Sequence, residues 1–396
     1  MAQIPFIFKQ LTDCLPADFF KALVKKYKAN AYIKDFTCWN HLSVMIWAQL
    51  TSRSSLRDIV SSLKAHSDKT YRMGMGNSIS RSNLGYANAH REIALYREMA
   101  CKMMELSAGV AVKEPLMADI IRTFGLKGFF AVDSSSISLP LDRFSWSVPQ
   151  EGVGGIKLHV MFDLLRKVPL VCCITGHEER DQTFLDEYPF EQGCIYVMDK
   201  MFVKTPSLYN IHRKGAYFVT RIKSNMKYEV TDERDSQDIR VLADHTIRFT
   251  SRWARSAYGE SLRLITYYST EINETLMFLT NNFDVDAATI ALLYAFRWDI
   301  EVFFKWIKQH LIIKRFYGTS GNAVFIQIYC AIITYCLLAI VFDSIKFKGS
   351  LFEFISIVSV TLTERVWLRD VIRRHENSPE NGRQFDHESS QLLLFQ

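Results

Sequence analysis

YAFRWDIEVFFKWIKQHL, residues 294 to 311, combines a strongly apolar background with four polar side chains that share one face. At about 100° of rotation per residue, with Tyr294 at 0°, Arg297 falls near 300°, Glu301 near 340° and Lys308 near 320°. Phe296, Ile300, Phe303, Phe304, Trp306 and Ile307 supply the apolar remainder. Arg297 and Glu301 are i,i+4 neighbours, and an ordinary helix-surface ion pair is the plain explanation of such a pair. A carboxylate set between two cations and a phenol, on a helix built for burial, also suits a site that grips phosphate and metal together.

The spacing Tyr-x2-Arg-x3-Glu-x6-Lys resembles the signature of DDE transposases of the insertion-sequence family four type. That resemblance implies two aspartates on strands upstream. GFFAVDSSSISL, 128 to 139, reads as a buried strand carrying Asp133, and its serine-rich exit is similar to the family's first catalytic motif. CIYVMD, 194 to 199, reads as a second apolar strand, ending in Asp199.

Between them, GIKLHVMFDLL and VPLVCCITG form a hairpin through Arg166 and Lys167. A helical stretch follows at about 181 to 188, with Asp181 as its N-cap. A helix near 206–214 and the strand AYFVTRIK, 216 to 223, complete the run. Three strands, a helix, a strand, a helix and a strand make the order of a ribonuclease-H-like core. The first and fourth strands of that fold are neighbours, so Asp133 and Asp199 should converge. The fold class expected is therefore α/β: a ribonuclease-H-like catalytic core with a β-rich insertion, preceded by an all-helical amino-terminal domain.

Glu301 stands 102 positions after Asp199. The excess lies between about 225 and 284, where IRFTSRWA, SLRLITYYST and TLMFLTNN read as further strands. The resemblance implies a β-rich insertion at this place. Asp142, Asp163, Glu178, Glu179 and Asp181 are read as structural or surface carboxylates, because none joins a strand end to the family spacing.

Phosphodiester cleavage needs an activated water or 3′-hydroxyl, in-line geometry and neutralisation of the leaving oxygen. Two divalent ions about 3.5–4 Å apart meet these demands, and Mg²⁺ takes hard oxygen ligands. The resemblance implies that Asp133 bridges two Mg²⁺ ions, for which Mn²⁺ can substitute, while Asp199 and Glu301 hold one each. It also implies that Tyr294, Arg297 and Lys308 contact DNA phosphate, the arginine in bidentate fashion.

The chain of 396 residues carries a net charge of +6, unevenly placed. Residues 1 to 110 hold 15 lysines and arginines against 8 carboxylates, which leaves the rest close to neutral. A basic segment of this kind suits contact with nucleic acid. It reads as helical, with ADFFKALVKKY, TCWNHLSVMIWAQL, SSLRDIVSSL and a long helix from Ser80 through SRSNLGYANAHREIALYREMACKMM. Ser55 faces Asp58 in a capping arrangement. The last two helices resemble a helix-turn-helix unit with an overlong turn, which makes Arg81, Asn83 and Arg91 candidate base readers. Trp253 and Trp298 are candidates to stack on a flipped base, with core packing as the alternative.

The eight cysteines show neither a Cys-x2-Cys pair nor zinc spacing, which suits reduced thiols in a cytoplasm. The amino terminus lacks the pattern of a signal peptide. AVFIQIYCAIITYCLLAIVF, 323 to 342, is uncharged and long enough to span a bilayer. The resemblance instead places the corresponding helix against the catalytic sheet.

The expected organisation is a DNA-binding helical domain over 1–110, a linker over 111–127, and the first part of the core over 128–224. The insertion over 225–284 follows, then the catalytic helix and core completion over 285–345. Carboxy-terminal helices and a mobile tail occupy 346–396. The resemblance implies a bacterial, nucleoid-associated transposase that acts as a homodimer on terminal inverted repeats and target DNA, with no membrane. A DNA-binding protein without catalysis and a related ribonuclease-H-like nuclease or resolvase stand as the alternatives.

Overall fold

The apolar runs that flank Asp133 and Asp199 become neighbouring strands. The computed structural model describes residues 3–76, 79–109, 115–147, 149–150, 153–176, 184–185, 188–310 and 316–377. The chain forms two compact units. One, the helical unit, draws on Met1–Ala111, Ile137–Ile156 and Phe304–Phe385; the other, the sheet unit, on Val112–Ser136 and Lys157–Phe303.

The amino-terminal region forms α1 (Ile7–Thr12), α2 (Ala17–Lys26), α3 (Cys38–Leu50), α4 (Leu56–Ala65), α5 (Ser67–Thr70), α6 (Arg81–His90) and α7 (Ile93–Ala108). Hydroxyl side chains start the helices at the expected places. The Ser55 Oγ accepts the Asp58 N–H at 3.1 Å, and the Ser80 Oγ accepts the Asn83 N–H at 3.0 Å. The long helix read from Ser80 is in fact two. It stops at Arg91, whose extended backbone (φ −71°, ψ 150°) leaves the helical region, and α7 restarts under the Glu92 cap. The segment read as a linker carries α8 (Pro115–Thr123).

Ten strands follow among the described residues: β1 (Gly128–Ser138), β2 (Pro149–Gln150), β3 (Val153–Asp163), β4 (Val168–Gly176), β5 (Cys194–Met198), β6 (Tyr217–Arg221), β7 (Tyr228–Glu233), β8 (Val241–Phe249), β9 (Leu262–Ser269) and β10 (Glu274–Thr280). The remaining helices are α9 (Thr205–Arg213), α10 (Arg252–Ala257), α11 (Ala287–Ala295), α12 (Trp298–His310), α13 (Gly321–Ile345), α14 (Leu351–Thr361) and α15 (Leu368–Glu376). Asp181, Glu178, Glu179, most of the helix read at 181–188, and the tail beyond 377 lie outside the described residues.

Strand order is β2-β3-β1-β5-β6-β10-β9-β8-β7, with β4 paired to the outside of this path on β3. The run β4-β3-β1-β5-β6 is the ribonuclease-H-like arrangement, with β1, β5 and β6 parallel. The insertion continues the same sheet, because β10 pairs antiparallel with β6 and carries β9, β8 and β7 outward. IRFTSRWA is strand only to Phe249. The Ser251 Oγ accepts the Ala254 N–H at 3.4 Å and starts α10, which places Trp253 on a helix. A core of Val132, Tyr196, Met198, Phe218, Phe249, Leu264 and their neighbours fills the sheet's interior.

The long apolar helix α13 is the centre of the helical unit. Every side chain from Ile326 to Ala339 is buried, and its packing partners include α7, α3, α6 and α1. Amino-terminal helices of the same unit supply apolar surface that it needs. Its two buried polar side chains are met internally. The Gln327 Oε1 accepts the Tyr317 N–H at 2.9 Å, and the Thr334 Oγ1 donates to the Cys330 carbonyl at 2.7 Å.

Candidate active site

Three parallel strands set the frame. Val132 pairs with Met198, and Met198 with Thr220, so the next residues along β1, β5 and β6 are Asp133, Asp199 and Arg221. Five buried residues, Cys194 to Met198, hold β5 in the middle of the sheet. Asp199 ends the strand by capping a short 3₁₀ turn, Lys200–Phe202, its Oδ1 accepting the Met201 N–H at 2.8 Å.

Glu301 and Arg297 reach this frame from the stretch at 294–311, which is not the single helix that its periodicity suggests. The apolar α11, capped by Asp286 on the Thr289 N–H, packs over β5 and β6 and ends at Ala295. Two residues, Phe296 and Arg297, form a tighter joint before α12 begins at Trp298. The Arg297 N–H bonds to Tyr294 O at 3.0 Å, the Asp299 N–H to Phe296 O at 3.0 Å and the Ile300 N–H to Arg297 O at 3.2 Å. These are i→i+3 bonds, and a 3₁₀ turn has about 3.0 residues per turn rather than 3.6.

Arg297 is the hub. Its Nη1 donates to Asp133 Oδ2 at 3.3 Å and its Nη2 to Glu301 Oε1 at 2.5 Å. The ion pair with Glu301 is therefore real, and the same guanidinium also ties in the first aspartate. Its buried Nε has no hydrogen-bond partner among the described residues. Burial pushes the Asp133 carboxyl up to about 6; Arg297 and the Ser134 N–H oppose the rise, while the Glu301 and Asp199 charges add to it. Both other carboxylates thus act on Asp133. Tyr294, in the last turn of α11, has its ring 4.9 Å from that of Phe278, and the Arg297 guanidinium lies 5.6 Å from the Tyr294 ring. Burial raises the Tyr294 hydroxyl pKa, with Arg297 lowering it and Asp199 adding to the rise. Lys308 lies two turns beyond Glu301 on α12, in the part of that helix that belongs to the helical unit.

Two cations near Asp199, Arg221 and Lys223, are not among the candidates that the sequence supplies. Arg221 follows Thr220 in register, and its charge acts on Tyr294. Lys223 donates to the Val203 carbonyl at 2.8 Å, and burial lowers its pKa, with Asp199 opposing and Lys204 assisting. The available signal is the alternation in TRIK, which puts positions 221 and 223 on one side of the chain beside Asp199.

Other candidates fall away from the site. Asp163 is a turn anchor: its Oδ1 accepts the Leu165 and Arg166 N–H groups at 2.9 Å each, and its Oδ2 pairs with the Arg166 Nη1 at 2.8 Å. Arg91 is corrected as a base reader. It is only 8% exposed, and its guanidinium donates to the carbonyls of Thr37, at 2.7 Å, and Phe36. Arg81 and Asn83 are exposed on the first turn of α6. Trp253 is 64% exposed and is no core residue, whereas Trp298 is half-buried at the start of α12.

The carboxylates offer only hard oxygen donors, which suits a divalent cation such as Mg²⁺. Among the described residues no three such groups are gathered closely enough to hold an ion as they stand. Arg297 supplies the positive charge for Asp133 and Glu301 instead. The donor chemistry fits a metal, on condition that Arg297 gives up its hold on Asp133.

A family model described as a transposase DDE domain matches residues 125–337, and a second, described as a domain of unknown function, matches residues 5–76. The chain belongs to the transposase DDE-domain family. A Sinorhizobium fredii protein named as a transposase, y4zB, is 31% identical over 304 residues, 75% of this chain and 81% of that protein. A Geobacillus stearothermophilus protein, named as a transposase for insertion sequence element IS5377, is 28% identical over 231 residues, 57% of this chain and 60% of that one. A third, named as a transposase for insertion sequence element IS4SA, from Synechocystis, is 24% identical over 370 residues, 90% and 99% of the two chains.

Proposed function

We propose that this chain is the DNA transposase of a bacterial insertion sequence of the family four type. It recognises terminal inverted repeats as a homodimer, cuts the element ends and joins the freed 3′-hydroxyls to target DNA. One observation carries the reading: the Tyr294–Arg297–Glu301 segment closes onto Asp133, with Asp199 in register on the adjacent strand. A structural ion pair needs only Arg297 and Glu301. A partly buried Asp133 that feels the charges of both Glu301 and Asp199 makes an arrangement suited to metal-assisted chemistry.

Asp133, Asp199 and Glu301 are the residues that would hold Mg²⁺ or Mn²⁺. A pair of such ions, when bound, activates the attacking oxygen and neutralises charge on the leaving one. The protein's own cations do the positioning. Arg297 presents a planar fork matched to a phosphate, and Lys308 a point charge. Arg221 and Lys223 add positive charge on the Asp199 side. Tyr294, its ring held on Phe278, limits where the backbone can lie. Trp253, exposed on α10, is the residue that would stack on an unpaired base if the element end opens through a hairpin. The site of action is DNA in the cytoplasm. The apolar α13 is already covered by protein, as a core helix is.

The test uses the full chain, Mg²⁺ and labelled duplexes cut from the genomic DNA flanking the reading frame. Cleavage at a repeat boundary that disappears in Asp199→Ala and Glu301→Gln, while binding persists, is the expected result. Binding without cleavage, indifferent to Asp199→Ala, overturns the enzyme in favour of a non-catalytic DNA-binding protein.

A further inference from the structure

Between α4 and the first turn of α6 lies an open cleft of about 450 Å³. Arg57, Lys64 and Arg81 line it, together with the short polar side chains of Ser61, Ser80 and Asn83. Arg57, Ser61 and Lys64 are spaced i, i+4, i+7 and so form one stripe along α4. Its two cations stand about 10 Å apart along the helix axis. All six residues are exposed.

Among the described residues, none of the side chains lining this cleft is a carboxylate that could neutralise its charge. Asp58, on the same helix, is committed elsewhere: its Oδ1 accepts from the Arg53 Nη1 at 3.2 Å, and its Oδ2 accepts the Ser54 N–H at 2.9 Å. Three cations from two helices, facing one opening and interleaved with hydroxyl and amide groups, match a ligand with several regularly spaced negative charges. Short hydroxyl and amide side chains are common partners of phosphate and sugar oxygens, and such contacts carry no sequence information.

We infer that this cleft holds the phosphodiester backbone of duplex DNA, with Arg57, Lys64 and Arg81 each neutralising a phosphate. Arg81 and Asn83 then position the duplex and do not read its bases. This rests on the reading of the chain as an enzyme that acts on DNA, and it assigns that enzyme a docking site within the helical unit.

The experiment is a fluorescence-anisotropy titration of the full chain in EDTA. It uses a duplex of arbitrary sequence and one from the flanking genomic DNA, at several salt concentrations. Arg57→Ala, Lys64→Ala and Arg81→Ala should each lower the slope of log K against log salt by about 0.9 and weaken binding roughly five- to tenfold at 0.1 M salt. The loss should be equal on both duplexes. Lys64→Arg should restore it, and Lys21→Ala, at an exposed lysine paired with Asp18, should leave the slope unchanged. Circular dichroism identifies any variant that has lost its helices, and the Lys64→Arg comparison stands apart from folding. Wild-type slopes retained in all three variants overturn the inference and leave the proposed enzyme intact. A loss confined to the flanking duplex also overturns it, in favour of base reading. Failure of the wild-type chain to bind either duplex overturns the DNA-directed function itself.

Discussion

Replacing Asp133 by asparagine should stabilise the metal-free protein at alkaline pH while destroying its activity. Asp133 is buried to 16% side-chain exposure, and its carboxyl is pushed from 3.8 up to about 6. The folded protein therefore binds this proton more tightly than the unfolded chain does. Stability from this group is fully present below the unfolded pKa and is lost as pH rises through the folded one. A rise of that size corresponds to about 3 kcal/mol lost by pH 8. The side chain introduced by Asp133→Asn keeps the shape and still accepts the Ser134 N–H, but its amide cannot satisfy Arg297 as a carboxylate does. A net gain of about 1–3 kcal/mol is expected at pH 8, shrinking below about 1 kcal/mol at pH 4, where wild-type Asp133 is protonated when folded.

The assay is thermal or urea unfolding of wild type and Asp133→Asn in EDTA at both pH values. The transition of the sheet unit is followed, since two compact units need not unfold together. Mn²⁺ supplies the second arm. A ligand that binds only the folded state raises stability by RT ln(1 + [L]/Kd), so wild type should gain at pH 8 and the variant should not. A less stable variant at pH 8, or a gain equal at both pH values, would refute the argument.

Arg91→Ala should cost about 2–4 kcal/mol, because it strands the buried carbonyls of Phe36 and Thr37; unfolding and DNA titration together check this, with unchanged sequence preference expected. Trp253→Ala should leave stability within about 0.5 kcal/mol but slow opening of a fully paired element end about tenfold or more, as the loss of a stacked base would; a mismatch at that end should rescue it in a gel-based cleavage assay. Leu337→Ala, at a fully buried position in α13, should cost about 2–5 kcal/mol. A helix lying in lipid would lose far less, so unfolding of this variant, with carbonate extraction of cells that express the protein, separates a core helix from a membrane span.

The parts of the fold legible in the sequence are those fixed by local pattern. The runs before Asp133 and Asp199 are apolar enough to be central strands, and the hairpin turns where Lys167 adopts φ 55°. The sheet order that brings the two aspartates into register follows from those strands and their crossovers. Tertiary partners decide the rest. Arg91 looks like any arginine near a helix end; only the fold brings the carbonyls of residues 36 and 37 to it. IRFTSRWA alternates well enough to read as strand, and the Ser251 cap that turns its second half into α10 is a signal the alternation hides. The helical wheel at 294–311 assumes one uninterrupted helix, and the 3₁₀ joint at Phe296 and Arg297 invalidates its angles beyond Ala295.

That joint explains why the polar stripe works even so. A continuous helix would carry Arg297 and Glu301 on one face and leave Asp133 to be met by chance. The joint ends apolar α11, which lies on β5 and β6, and sets Arg297 just before α12. From there a single guanidinium reaches both Glu301, one turn on, and Asp133 on β1. The ion pair and the proposed active site therefore share one residue. With a divalent cation held by Asp133 and Glu301, as the proposed function requires, Arg297 would no longer be needed between them. Its fork, already partly buried beside Tyr294, would then be open to a second bidentate anion. A DNA phosphate is such an anion, so under that reading one residue would tie the loading of the carboxylates to the grip on the substrate.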